Sequence, residues 1–363
     1  MRRSVIMIVM GLSSACAAGV AEQRPTVEMD AVVIRHEAPA DLPTDTYDAD
    51  TVLHYAREAE RAREYAKSRR LYERLLNEFP ESKLGRSARF GAARSQEALE
   101  GCSVVLPKYA AIRAEDPDLG DVGDWVDVHF REASCLLALA RAGDAADLLS
   151  ELIKYPGLTK TDRLEAMVGR GIANKDRDEI DLAERDLVMV IAIDRENNGD
   201  SSKYMGAEIE TRFIVAKAAY HLGEVYRLRF ERTKLEYPQA MLEARLEEKS
   251  QYLLRAQAYL LRSIRLGSLE VAAAAGFRVG GMYEKFHQEL IALEPPPELT
   301  ESQQKLYMQE LRLKIAILLR KAVKIYDEAV AMAKRTGLKS DWIDKANEAL
   351  DRIKKTYLVD ISG

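Results

Sequence analysis

Apolar side chains recur along this chain at intervals of three and four residues, and proline or glycine cuts the pattern at regular distances. Between Thr51 and Pro80, Val52, Tyr55, Ala56 and Ala59 make one stripe, and Ser68, Tyr72 and Leu75 make a second. Such spacings put side chains on one face of an α-helix, and Pro80 forbids its continuation. The stretch predicts two antiparallel helices, with the small Ala56 permitting close approach.

The pattern repeats. A second pair sets Phe90, Ala93 and Glu97 against Val105, Tyr109 and Ile112 and stops near Pro117. A third sets Phe130, Ala133 and Leu137 against Ala146, Leu149 and Ile153, with Gly143 at the turn and Pro156-Gly157 at the end. In a fourth, Met167, Gly171 and Asn174 precede Ala183, Leu187 and Val190. The polar loop from Glu196 to Ser202 then divides the array. Beyond it the helices lengthen. Ile209, Phe213, Ala216, Tyr220, Gly223, Tyr226 and Phe230 hold their spacing over six turns, up to a stop at Pro238. The partner helix carries Ala256, Leu260 and Ser263 and ends before Gly267. A sixth pair begins at Ser268, with Val279, Gly280 and Tyr283 on its first helix and Pro295-Pro296-Pro297 as connector. Thr300 and Gln303 predict a capping box for a helix reaching Thr336, on which Ala322, Tyr326 and Ala329 repeat the motif. A last helix from about Asp341 to Tyr357 would close the open end.

Ser68, Tyr72, Leu75 and Pro80, with Ala56 before them, resemble the tetratricopeptide repeat, a helix-turn-helix unit of about 34 residues. The resemblance implies an all-α, right-handed α-solenoid of about six such hairpins plus a C-terminal capping helix. The shorter hairpins would occupy residues 49–197 and the long-helix hairpins and cap residues 203–357. Glu73 to Pro80 with Ser82 is similar to repeats of bacterial envelope proteins that assist outer-membrane assembly and cell division. Ala275 to Gly280, the Pro295 to Thr300 connector and Tyr326-Asp327-Glu328-Ala329 resemble a myxobacterial-type group, some of it attached to the gliding-motility machinery. In this repeat family the first helices line the concave surface. That implies a groove with Arg57, Phe90, Arg94, Arg131, Lys217, Tyr220, Arg227, Phe277 and Lys285 facing it. Cations interleaved with aromatic rings suit an acidic peptide or a C-terminal carboxylate.

Residues 1–21 have the form of a signal peptide: Arg2-Arg3, an apolar run from Val5 to Met10, then small residues. Two processing routes stay open. Leu12-Ser13-Ser14-Ala15-Cys16 is a loose lipobox in which Cys16 would be lipidated, sorting the chain to the outer membrane. Alternatively, cleavage falls after Ala15-Cys16-Ala17 or Gly19-Val20-Ala21. Either route sends the body to the periplasm. Residues 22–48, with Pro25, Pro39 and Pro43 and no helical period, read as a flexible tether.

Composition narrows the chemistry. With 54 basic and 59 acidic residues interspersed, the formal charge of -5 argues against a nucleic-acid footprint. The five histidines, His36, His54, His129, His221 and His287, never fall three or four apart, so no helix face gathers two of them as metal ligands. Gly169-Arg170-Gly171 lacks the third glycine and preceding strand of a phosphate loop. No catalytic, cofactor or metal pattern emerges, and the reading is non-enzymatic. Cys102 and Cys135 lie near the junction of the second and third hairpins. They would pair in an oxidising compartment or stand as two buried thiols. The expected function is a protein-binding scaffold or adaptor of an envelope complex, with other envelope proteins as partners. A periplasmic ligand carrier and an accessory of a cell-wall enzyme are the alternatives.

Overall fold

The computed structural model describes residues 48–115, 117, 121–197, 207–236 and 239–361. The signal segment, the lipobox with Cys16, the tether up to Tyr47, and Pro238 lie outside the described residues. Those described form thirteen helices and no strand: α1 (Ala49–Arg61), α2 (Tyr65–Glu78), α3 (Gly85–Glu100), α4 (Cys102–Arg113), α5 (Val122–Ala138), α6 (Ala142–Lys154), α7 (Lys160–Asp176), α8 (Ile180–Asn197), α9 (Ala207–Arg232), α10 (Gln239–Leu266), α11 (Leu269–Ile291), α12 (Glu301–Thr336) and α13 (Asp341–Ile361).

Each helix packs on its neighbours in sequence, giving six consecutive hairpins and a last single helix. Each odd-numbered helix from α1 to α11 also touches the next odd one, whereas no even-numbered pair among the described residues approaches as closely. The odd helices therefore form an inner layer and the even helices an outer one. This is the arrangement of an α-solenoid.

One packing rule holds the hairpins together. A small residue on the odd helix faces a bulky one on the even helix, which enters the gap between backbones. A β-carbon added to Gly171 would meet Leu187, one on Gly223 would meet Leu260, and one on Gly280 would overlap the Tyr326 ring. Gly91 gives the same room to Tyr72 of the preceding hairpin. In the first hairpin the close approach is sealed by a hydrogen bond, Ser68 Oγ donating to the Ala56 carbonyl at 2.9 Å. Tyr72, Leu75, Tyr109, Leu187, Leu260 and Tyr326 are all fully buried. Each such side chain is worth about 1.5–3 kcal/mol of transfer free energy.

A second, polar rule ties one hairpin to the next. Glu60 on α1 accepts a hydrogen bond from the Tyr72 hydroxyl on α2 at 2.8 Å and a two-pronged one from Arg94 on α3, both prongs 2.8 Å. Glu97, Tyr109 and Arg131 repeat the knot across α3, α4 and α5, at 2.6 and 3.3 Å. Glu284, Tyr326 and Arg352 do so across α11, α12 and α13. Burial, and then the glutamate, raise the pKa of each of these phenols, so they act as hydrogen-bond donors throughout the neutral range.

Some sequence expectations shift. The tight turns within the first four hairpins each contain one residue with a left-handed backbone: Arg63, Gly101, Ala140 and Asp178. In the third hairpin this residue is Ala140, and Gly143, expected at the turn, lies inside α6. Among the buried positions of α6, Ala145, Leu149 and Leu152 restore a spacing of twelve, four and three from Ala133; Ala142, Ala146 and Leu148 are buried too, and Ile153 is only partly so. The stripe assigned to α9 also breaks. Phe213 is 55% exposed, while Ile214, Val215, Ala218, Ala219 and Leu222 are buried. This helix is enclosed by α7, α8, α10 and α11, so more than one of its sides is covered. The capping box at Thr300 and Gln303 and the left-handed Gly337 bound α12 where the sequence places them.

A candidate protein-binding inner face

The inner layer is the surface to which the repeat resemblance assigns the nine groove residues. The nine groove residues distribute unevenly over it. Phe90 does not face it at all: it is buried in the core with Val105 and Ile112, edge-on to the Tyr109 ring with centroids 6.1 Å apart, and the Arg94 guanidinium stands 4.5 Å from its ring centre. Sequence spacing could not separate the two, because a residue one position off the inner face of α3 falls into the core. Arg94 and Arg131 are committed to the knots with Glu60 and Glu97. Arg227 is bound to Glu224 at 2.9 Å and Glu231 at 2.6 Å, and Lys285 stands 3.9 Å from Glu231. Phe277 is half-buried between the rings of Tyr326 and Trp342. Arg57 and Lys217 are exposed, and Tyr220 is half-buried.

Residues missed by the sequence reading change the character of this face. On α13, Trp342 has the Arg278 guanidinium 5.0 Å from its ring centroid and the Lys345 ammonium 4.5 Å from it. Arg278 reaches from α11 toward α9, 3.5 Å from Glu224. Burial raises the Tyr220 phenol, Glu224 adds to the effect, and Arg278 opposes it. Lys217 lies one turn before Tyr220. Lys217, Arg227, Arg278, Lys285 and Lys345 thus gather around Tyr220 and Trp342 on α9, α11 and α13, beside Glu224 and Glu231. No sequence signal pointed to Trp342, because it enters the inner face only through the packing of the last helix.

The middle of the inner layer has the opposite sign. Lost hydration raises the Asp127 carboxyl on α5 above its ordinary range, Asp124 raises it further, Arg94 opposes the shift, and Asp162 and Glu165 add to it. The face is therefore divided, acidic across α5 and α7 and cationic with aromatic rings across α9, α11 and α13. One continuous groove of available cations interleaved with aromatic rings, as the nine residues implied, is not what the helices build.

Cys102 and Cys135 are joined as a disulfide, with α-carbons 5.1 Å apart, linking the start of α4 to α5. The Glu97 carboxylate lies within 4.8 Å of both sulfurs, so bridge and knot fasten the same hairpin junction. Of the histidines, His129 is buried, its imidazole pushed down to about 4 by burial, with Nδ1 2.8 Å from the Trp125 carbonyl. Burial also pushes His221 down, to about 3. His36 lies outside the described residues.

Hairpin packing, inter-hairpin knots and an open inner layer define a tetratricopeptide-like helical-repeat protein, a class whose architecture is suited to holding other proteins. No protein-family model matches the chain, and no curated protein is similar to it. Among solved structures, the human IFIT1 dimer with m7Gppp-AAAA is similar over 87% of this chain and 72% of that one, at 12% identity and a TM-score of 0.42. Identity and score at that level leave the family undefined.

Proposed function

We propose that this protein is a non-enzymatic scaffold of a bacterial cell-envelope complex, of the motility or outer-membrane-assembly kind, that holds an extended segment of another envelope protein on its inner face. The observation that carries the reading is the continuous inner layer of odd-numbered helices, with acids on α5 and α7 and cations with aromatic rings on α9, α11 and α13. A segment lying along α5 to α13 would meet acids first and then cations flanking Tyr220 and Trp342, which fixes its direction as well as its register. The signal-like start at Arg2-Arg3 and the bridge between Cys102 and Cys135 support export to an oxidising compartment, with Cys16 as the lipid attachment point.

The test uses exposed positions, so that folding is spared. Capture of envelope proteins by the wild-type chain is compared with capture by the double variant Lys217→Glu/Lys345→Glu. A loss of about tenfold, equivalent to ~1.4 kcal/mol, is expected for partners bound on the cationic half. Equal capture by both forms would remove the inner face as the binding surface.

A further inference from the structure

We propose that α12 is a self-association surface, on which a second copy of this chain docks antiparallel through the outer face of that helix. At 36 residues α12 is about 54 Å long, against about 35 Å for the 23-residue α11 beside it. Its buried positions begin only at Ile315, and Leu311 already packs against the core, so the first ten residues, Glu301 to Glu310, run past the hairpin as a projecting arm. A capping box nonetheless holds the start of this arm helical.

The outer face of α12 is not merely polar. Leu306, Leu313 and Ile317 are 60%, 66% and 45% exposed, and their spacing of seven and four puts them on one stripe opposite Ile315 and Leu319. Further along the same helix a groove of about 620 Å³ opens between α12 and α13, floored by Leu319, Val323, Ala331 and Ile353. Apolar knobs and an apolar slot therefore lie in series on one helix. A two-fold axis crossing α12 near Lys324 brings them together, setting Ile317 of one copy against Ala331 of the other and into the slot.

The order of charges selects this partner. Arg320, Lys321 and Lys324 come first, and Asp327 and Glu328 follow. In the antiparallel arrangement Arg320 of each copy meets the other's Glu328; the two Lys324 side chains meet at the axis, each 3.9 Å from Glu328 of its own helix, and Lys321 stands over the Tyr283 ring. A parallel one would set like against like. The contact is isologous and closed, so it ends at a dimer. It lies on the outer layer and leaves the inner face open, which distinguishes it from the scaffold reading.

Sedimentation velocity over a concentration series up to ~200 µM reads the outcome, since a single helix pair sits at the small end of specific interfaces. A reversible dimer is expected, with dissociation weakened at least tenfold by Leu313→Asp/Ile317→Asp and unchanged by Lys217→Glu/Lys345→Glu. Arg320→Glu alone should weaken it, and adding Glu328→Arg to that variant should restore it. Leu313 and Ile317 are exposed, so circular dichroism should show both forms folded. A chain that stays monomeric throughout overturns the proposal, as does a dimer indifferent to Leu313→Asp/Ile317→Asp. Loss of a different protein from α12 in a monomeric chain overturns it too, because the face would then belong to that partner.

Discussion

Lys249 is the most buried cation among the described residues, and its removal gives a quantitative test of how the long hairpins are fastened. Its ammonium, on α10, donates to the carbonyls of Phe230 at 2.6 Å and Thr233 at 2.8 Å, which end α9. It also pairs with Glu289 on α11 at 2.8 Å and rests 4.2 Å from the centre of the Phe230 ring. Three helices thus meet on one nitrogen. Burial lowers its pKa, and Glu289 opposes the shift. Lys249→Met keeps the aliphatic stem and deletes the charge. Two terminal carbonyls then lose their donor, and a carboxylate loses its partner. Hydrogen bonds to charged groups are worth about 1.5–3 kcal/mol each, and breaking a buried pair costs about 3–5 kcal/mol. Glu289 is still 30% exposed and keeps part of its hydration, which places the loss at the lower end, about 3 kcal/mol. At about 2.1 cal/mol/K per residue over about 300 folded residues, that is a drop of about 5 °C in the thermal midpoint, read by circular dichroism. Lys249→Met/Glu289→Leu should recover much of it, because the stranded carboxylate is gone. A Lys249→Met midpoint within ~1 °C of wild type would refute the assignment of Lys249 as the anchor.

Two further outcomes follow from other parts of the array. His129 has a folded-state pKa of about 4, below its unfolded value, so the unfolded chain binds the proton more readily between those two values. Its contribution is present above pH ~6.5 and is lost as pH falls toward 4, by about 3 kcal/mol in all; urea titrations at stepped pH should show a shallower loss in His129→Gln. Reducing the bridge between Cys102 and Cys135, 33 residues apart, should cost about 3.5 kcal/mol in denaturant titrations, and a Cys102→Ala/Cys135→Ala variant should be insensitive to reductant.

The sequence by itself determined what depends on near neighbours along the chain. Helix existence, the six hairpins, the stop at Gly337 and the capping box at Thr300 follow from spacings of three and four and from local turn chemistry. The places where it erred are informative. Gly143 drew the third turn toward itself, while the left-handed residue is Ala140, whose backbone is dictated by helix packing and not by its own preference. Phe213 and Phe90 occupy similar positions in similar stripes, yet one is exposed and the other buried. Only the tertiary structure decided which cations remained available, since Arg94, Arg131 and Arg227 are drawn into ion pairs by glutamates up to a whole repeat away. It also decided that Trp342, near the far end of the chain, completes the cationic half of the inner face. Periodicity reports which side of a helix is covered, whereas the identity of the covering group depends on how successive helices stack. That stacking is set by long-range contacts that no local window of sequence contains.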